Sequence, residues 1–526
     1  VGFSRLISIG NKANIDEIDV LDALGQDEET AVIAGYLESI TDGDAFLRKA
    51  QEISREKPIL LLKSGETGAG AEAASFHTGR LLSAESVYQA VFRQAGVVRC
   101  SSITQQFNCS LAMSNQPLPE GKGVAVIANA GGPGIMAADA IEEQGLQLAE
   151  LSEETTEHLK EELPGEASVH NPVDLLGDAL VDRFELALEA MLEEPAVHSV
   201  LVVVSPHAMT DPTGTAEMMA RVAEDRPEKP ILGCFLGANR MAEAVEILAE
   251  AGIPSYDSPE SAVAVIDAMA SYADWRSRPE RVVRLFPVNR RKVEQIVERH
   301  LRHDDPQISE SETKDVLEAY GFVTPEGSVA TSADQAADIA EQIGFPVVLK
   351  IWSPDIIHKA DVDGVKFGLN SRQDVKDAFD LMMYRIPKSR PEADILGVLV
   401  EEMCSSGVEV ILGMHRDPRF GPVMMFGRGG VYVEALGDVA FSLAPLTEEE
   451  AKGMLSNTRT YELLAGEGEQ EEADIDALAE GLQRFSQLVT EFPQISDMEI
   501  NPYLVGPKGT APVAVDAQIK VRDESR

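Results

Sequence analysis

Residues 124–134 read VAVIANAGGPG: an unbroken apolar run, then small and glycine-rich residues that open a helical pattern. A run that is apolar at every position, rather than at alternate ones, belongs to a strand covered on both faces, as in a parallel sheet between helices. The same order recurs on either side. RLISIG (5–10), AVIAGYL (31–37) and PILLLK (58–63) lead one set, and VAVIANA, SVLVVVSP (199–206) and PILGCFLG (230–237) lead another. Helical stretches of about 10 to 15 residues alternate with these runs. A Pro- and Gly-rich break, QPLPEGKG at 116–123, separates the two sets. The first 275 residues are therefore predicted to form two doubly wound parallel-sheet domains, 1–120 and 121–275.

Beyond them the pattern changes. Residues 276–306 concentrate basic side chains and predict a linker followed by a charged helix. From 307 to 526 a capped helix, with Ser311 as the expected cap, and then strands in succession from Gly397 to Gly427 predict an α+β domain.

Composition narrows the function. The chain has 526 residues, with 45 Lys and Arg against 89 Asp and Glu, a net charge of −44. So large a negative excess repels phosphate backbones and excludes nucleic-acid binding through a broad basic face. No apolar run reaches the length of a membrane span. The acidity is spread through the chain, and 17 Lys stand against 28 Arg. Hydrated carboxylates on every face suit a salt-loving cytoplasm, that of a halophilic archaeon. Val1 is not an initiator Met and no secretory leader follows it, so an internal start is expected. The four cysteines match neither metal-knuckle nor disulfide spacing, and none is a candidate nucleophile.

Chemistry-bearing residues fall into two groups. His77 lies in GETGAGAEAASFHTGR (65–80), after an apolar strand and among small residues that let a backbone approach a ligand. Glu38 ends the neighbouring strand, where a carboxylate could fix the imidazole tautomer and make the other nitrogen nucleophilic. The turn at Asn129–Gly134, with Gly131 and Gly132, could offer N–H groups to an anion, although such turns are common. The helix start at Thr210, TDPTG, has a capping residue and an early Pro; capping is its plainer role.

In the second half Lys350 ends GFPVVLK, a position suited to phosphate, and His358 follows in SPDIIHKADVDGV. Glu401 and Glu402 close GVLVEE, where a hinge could bind adenine or ribose. Glu499 and Asn501 sit at i and i+2 on one strand face, and Asp516 follows on a strand expected to pair with it. Oxygen ligands from adjacent strands suit Mg²⁺.

Together these segments resemble the ADP-forming acyl-CoA synthetases, the acetate–CoA ligases related to succinyl-CoA synthetase. The likeness runs through SIGNKANID, HTG, VYQAVFRQAGV, NAGGPG, NPVDLLGDA and SPHAMTDP, then GFPVVLK, SPDIIHKADVDGV, DPRFGP and EINPY. It implies two flavodoxin-like domains followed by an ATP-grasp domain, and a CoA-binding domain upstream of Val1. It further implies that His77 is transiently phosphorylated, with Glu38 orienting it, and that His358 is a second carrier. The helix start at Thr210 would face phosphate; Lys350, Glu401 and Glu402 would contact ATP or ADP; Asn501 and Asp516 would hold Mg²⁺. The substrates are expected to be nucleotide, phosphate, CoA and an acetyl or similar acyl group, handled by a cytoplasmic homo-oligomer, a dimer. Two other readings compete: an ATP-grasp ligase joining a carboxylate to an amine, and a regulatory protein sensing acyl-CoA or nucleotide.

Overall fold

The computed structural model describes residues 2–63, 84–303, 305–356, 359–404, 407–430, 437–466 and 471–522. Two compact units emerge, Val1–Glu66 with Val91–Glu280, and Thr67–Ala90 with Arg281–Arg526. No helix among the described residues is long and apolar enough to cross a membrane.

In the first unit β1 (Ile33–Leu37), β2 (Ile59–Lys63) and β3 (Val97–Cys100) lie parallel in that order. A second parallel sheet contains β4 (Gly123–Ala128), β5 (Gln147–Leu148), β6 (Val173–Asp174), β7 (Ser199–Val204) and β8 (Ile231–Phe235). Its order is β5-β4-β7-β8, with β6 also paired to β4. Every residue of β4, β7 and β8 is buried, which is why these runs are apolar without alternation. The two sheets share a core: Leu60, Cys109 and Met113 pack in one cluster with Val126, Leu201 and Ile266. Tyr272 Oη adds a hydrogen bond to the Ser54 carbonyl at 2.8 Å.

One expected strand is missing. Residues 5–10, RLISIG, form no strand, and Leu6 is 87 % exposed. An apolar run becomes a strand only where a neighbouring ladder takes up its N–H and C=O groups, and no described segment pairs with this one.

The second unit holds two antiparallel sheets. β9 (Gly327–Ala330), β10 (Val347–Trp352), β11 (Val365–Leu369) and β12 (Gly397–Glu402) assemble in the order β11-β10-β12-β9. The other sheet comprises β13 (Val408–Asp417), β14 (Gly421–Arg428), β15 (Val439–Leu443), β16 (Ile495–Val505), β17 (Val513–Ala514) and β18 (Ala517–Val521). It runs β15-β14-β13-β16-β17, and β18 pairs with β16. The helix Arg290–Arg302, in the basic stretch, buries Val293, Ile296 and Val297 in the core of this sheet while Arg290, Arg291 and Arg299 stay exposed. The next helix, Glu310–Ala319, starts after Ser309 rather than Ser311. That shift puts Glu310 inside the first turn.

Candidate nucleotide and phosphoryl site

Strand alternation decides which residues of β10 and β12 can meet a ligand. Val347, Leu349 and Ile351 pack with Val398 and Val400 in one buried cluster, so Lys350 and Glu401 emerge on the opposite face. There Lys350 Nζ lies 2.8 Å from Glu401 Oε2 and 3.6 Å from Glu310 Oε1. Lys314 Nζ pairs with Glu401 Oε1, and Lys359 Nζ lies 2.9 Å from Glu310 Oε2. The outcome is an alternating row, Lys314, Glu401, Lys350, Glu310, Lys359, in which Glu401 is 1 % exposed.

Charges this deep persist only when paired, because an uncompensated buried ion costs several kcal/mol. Burial pushes the Glu310 carboxyl up, but Lys350 and Lys359 outweigh it and hold its pKa below the usual glutamate value. Burial pulls the Lys314 ammonium down to about 8, and Lys350 adds to the fall. Burial also works against the Lys359 charge, yet Asp516 and Glu310 prevail and raise its pKa. Three cations thus line one face beside a cleft bounded by Ser309, Glu310, Trp352, Lys359 and Gln518. Such a row can exchange its carboxylate partners for the oxygens of a polyphosphate.

The residues expected to bind a cation adjoin this row. Lys350 Nζ donates to the Val515 carbonyl at 3.0 Å, one residue before Asp516. Asn501 N–H donates to the Asp516 carbonyl at 2.9 Å, which fixes the two segments side by side. The Asn501 Oδ1 accepts from Gly430 N at 3.0 Å, and its Nδ2 donates to Glu499 Oε1 at 3.3 Å. Asp516 Oδ1 accepts from Ala517 N at 2.9 Å. Among the described residues no three His, Cys, Asp or Glu side chains form a cation cage. Two carboxylates and an amide oxygen nevertheless fit Mg²⁺, which commonly takes one or two protein carboxylates and completes its shell with waters and substrate phosphates.

Glu401 and Glu402 were expected as a pair of nucleotide contacts. Alternation separates them: Glu401 is enclosed by lysines, while Glu402 is exposed at the strand end, its N–H donating to the Glu326 carbonyl at 2.9 Å. Lys314, Glu310 and Lys359 were not singled out from sequence. The signal for two of them was present, since Glu310, Thr313, Lys314 and Leu317 share one helix face by their i, i+3, i+4, i+7 spacing and line one narrow space with Ala514–Ala517.

In the first unit the polar groups gather at the carboxyl ends of β4 and β7. Asn129, fully buried, accepts from Ser205 N at 2.7 Å and donates to the Ser205 carbonyl at 3.0 Å and to Thr210 Oγ1 at 3.2 Å. The Thr210 hydroxyl donates to the same carbonyl at 3.1 Å, so it shapes the turn, and Asp211 caps the helix Pro212–Asp225 through Gly214 N at 3.0 Å. Gly131 and Gly132 open the helix Gly131–Glu143, which has no side-chain cap. A Cβ on Gly132 would meet nothing within 4 Å, leaving that backbone approachable. Glu38 is exposed directly after β1. Leu37 pairs with Lys63 at the end of β2, so Glu38 follows β1 at the edge where β2 also ends. His77 and His358 themselves lie outside the described residues.

Sequence comparison agrees with this architecture. Residues 1–113 match a succinyl-CoA ligase like flavodoxin domain, 124–279 a ligase-CoA domain and 299–521 an ATP-grasp domain. The chain is 41 % identical to acetate–CoA ligase [ADP-forming] I of Archaeoglobus fulgidus, over 98 % of this chain and 73 % of that protein. It is 38 % identical to 4-hydroxybutyrate–CoA ligase [ADP-forming] of Nitrosopumilus maritimus, over 99 % and 74 %. With acetate–CoA ligase [ADP-forming] of Methanocaldococcus jannaschii the identity is 32 %, over 96 % and 73 %. Parallel flavodoxin-like sheets, an ATP-grasp unit with a buried lysine row, and identity sustained over nearly the whole sequence lead to one conclusion: the chain belongs to the ADP-forming acyl-CoA synthetase family.

Proposed function

We propose that this chain interconverts acyl-CoA, phosphate and ADP with a free acid, CoA and ATP, and that histidine carries the phosphoryl group between thioester and nucleotide chemistry. Phosphate oxygen attacks the thioester carbonyl and expels the CoA thiolate, giving an acyl phosphate. A nitrogen of His77 then attacks phosphorus and releases the carboxylate. His358 takes the phosphoryl group from His77, and a terminal oxygen of ADP takes it from His358, which leaves each imidazole as it began. Imidazole suits this duty because it is both nucleophile and leaving group near neutral pH. Transfer needs in-line geometry and charge neutralisation at each stop.

The remaining residues have supporting roles. Glu38 orients His77. Lys350 neutralises nucleotide phosphate, Glu401 pairs with it at 2.8 Å, and Glu402 stands at the adenosine end. The N-termini at Gly131–Gly132 and Thr210 flank phosphate in the first unit. Glu499, Asn501 and Asp516 would hold Mg²⁺, which when bound neutralises charge on the nucleotide phosphates. Acetate or a similarly small acid is the substrate class, in keeping with relatives named for acetate and 4-hydroxybutyrate. The enzyme works in a high-salt cytoplasm as a homo-oligomer. The observation that carries this reading is the buried lysine row beside Asn501 and Asp516, in a member of this family.

The test uses the full-length native protein with γ-labelled ATP and Mg²⁺, compared with His77→Ala and His358→Ala. Acid-labile label is expected on the parent, none at position 77 in the first variant, and no transfer to position 77 in the second. Equal labelling of position 77 in the parent and in His358→Ala would overturn the relay.

A further inference from the structure

Glu310 has no place in the scheme above, yet it occupies the middle of the site. Its side chain is 10 % exposed, and its partners among the described residues are two ammonium groups, Lys359 at 2.9 Å and Lys350 at 3.6 Å. The two lysines come from different pieces of chain. Lys350 is fixed within β10. Lys359 begins the short 3-10 turn Lys359–Val362, which the backbone ties to β10: Gly364 N donates to the Lys359 carbonyl and Ile351 N to the Gly364 carbonyl, both at 2.8 Å. Those bonds locate the turn, and the Lys359 side chain, 12 % exposed, ends 2.9 Å from the carboxylate of Glu310, which is rooted in the first turn of the helix Glu310–Ala319.

The geometry points to Glu310 as a positioning residue for phosphoryl transfer: it holds the ammonium group of Lys359, the residue next to His358 in the chain, beside that of Lys350, so that two cations face a phosphoryl group together. Glu310 touches no reacting atom and acts through the lysines. This deepens the nucleotide reading above and rests on it. A carboxylate that merely neutralised buried lysines would affect stability and leave the balance of turnover and affinity alone. One that aligns a cation for the transition state affects the rate at saturation.

The test measures initial rates of protein labelling by γ-labelled ATP against ATP concentration, on the full-length protein, for the parent, Glu310→Gln and Glu310→Asp, with thermal unfolding of each. In Glu310→Gln the limiting rate is expected to fall about ten- to hundred-fold, while the half-saturating ATP concentration moves less than about threefold. Glu310→Asp, which restores the charge, should regain most of the rate. Should the Gln variant fail to fold, Lys359→Gln carries the same expectation. A parent that takes no label overturns the nucleotide reading and this inference with it. A labelled parent with an unchanged Gln variant, a loss confined to the half-saturating concentration, or equal impairment of the Gln and Asp variants overturns only the role of Glu310.

Discussion

Each unit gathers polar groups where strands end, but by different means. At the carboxyl edge of β4 and β7 the network is neutral: Asn129, Ser205 and Thr210 exchange hydrogen bonds of 2.7–3.2 Å and set the course of the backbone. On the open face of β10 and β12 the network is ionic, five side chains of alternating sign. The neutral network defines a shape and holds it under any conditions in which the protein is folded. The ionic row is costly to bury and survives because each charge has a partner, and its cations can accept another anion in exchange. Shape without charge suits a site that presents N–H groups. Charge held by counter-ions suits a site that must bind and release phosphate.

The largest break in this contrast comes from leaving the row unbalanced. Glu401→Leu leaves Lys314 and Lys350 buried without their shared carboxylate, and should cost the second unit about 3–5 kcal/mol. Denaturant unfolding at constant salt, followed through a probe in that unit, measures it. Adding Lys350→Met to Glu401→Leu should return much of the loss, since the surplus charge is then reduced. A loss below about 1 kcal/mol for the single variant would mean that water already reaches the row. The corresponding break in the neutral network is smaller. Asn129→Ala leaves Ser205 N without the Asn129 Oδ1 acceptor, while the Ser205 carbonyl keeps the Thr210 hydroxyl, at a cost of about 1–3 kcal/mol. That loss should be the same in acidic and alkaline buffer, because no member of the network titrates; a pH-dependent loss would break the contrast.

The same contrast explains what could be foreseen from sequence. Strands β4, β7 and β8 were legible because burial on both faces leaves an unbroken apolar run. RLISIG, less purely apolar with Arg5 and Ser8, forms no strand, because local composition does not report whether a pairing strand is present. The position of Asn501 beside Asp516 was legible, although Asp516 lies in the bend between β17 and β18 rather than on a strand, and only its carbonyl meets the Asn501 N–H. The lysine row was half legible: Lys350 stands out at the end of an apolar run, whereas Lys314 and Glu310 look like ordinary surface charges of an amphipathic helix. They betray themselves only by sharing the inner face with Thr313 and Leu317, and moving the helix start from Ser311 to Ser309 was needed to see it. Lys359 depends on a partner 49 positions away, Glu310, and long-range ion pairs leave no local pattern in sequence.

The finest test of the contrast is a titration of Lys314. Its pKa is pulled from 10.5 down to about 8, chiefly by burial and then by Lys350. As pH rises through about 8 the folded protein loses this ammonium while the unfolded chain keeps it. The unfolded state therefore binds more protons between about 8 and 10.5, and stability from this group rises with pH across that window. Phosphate prefers the ammonium to the amine, so affinity for ADP should fall across the same range, by up to about tenfold. One group thus predicts two slopes of opposite sign, which calorimetric ADP binding and denaturant unfolding at matched pH can read separately. Lys314→Arg keeps a full charge at every accessible pH and should flatten both slopes. If ADP affinity in the parent stays level through pH 8, or falls equally in the Arg variant, the ionic row does not bind nucleotide through Lys314, and the site narrows to Lys350 and Lys359.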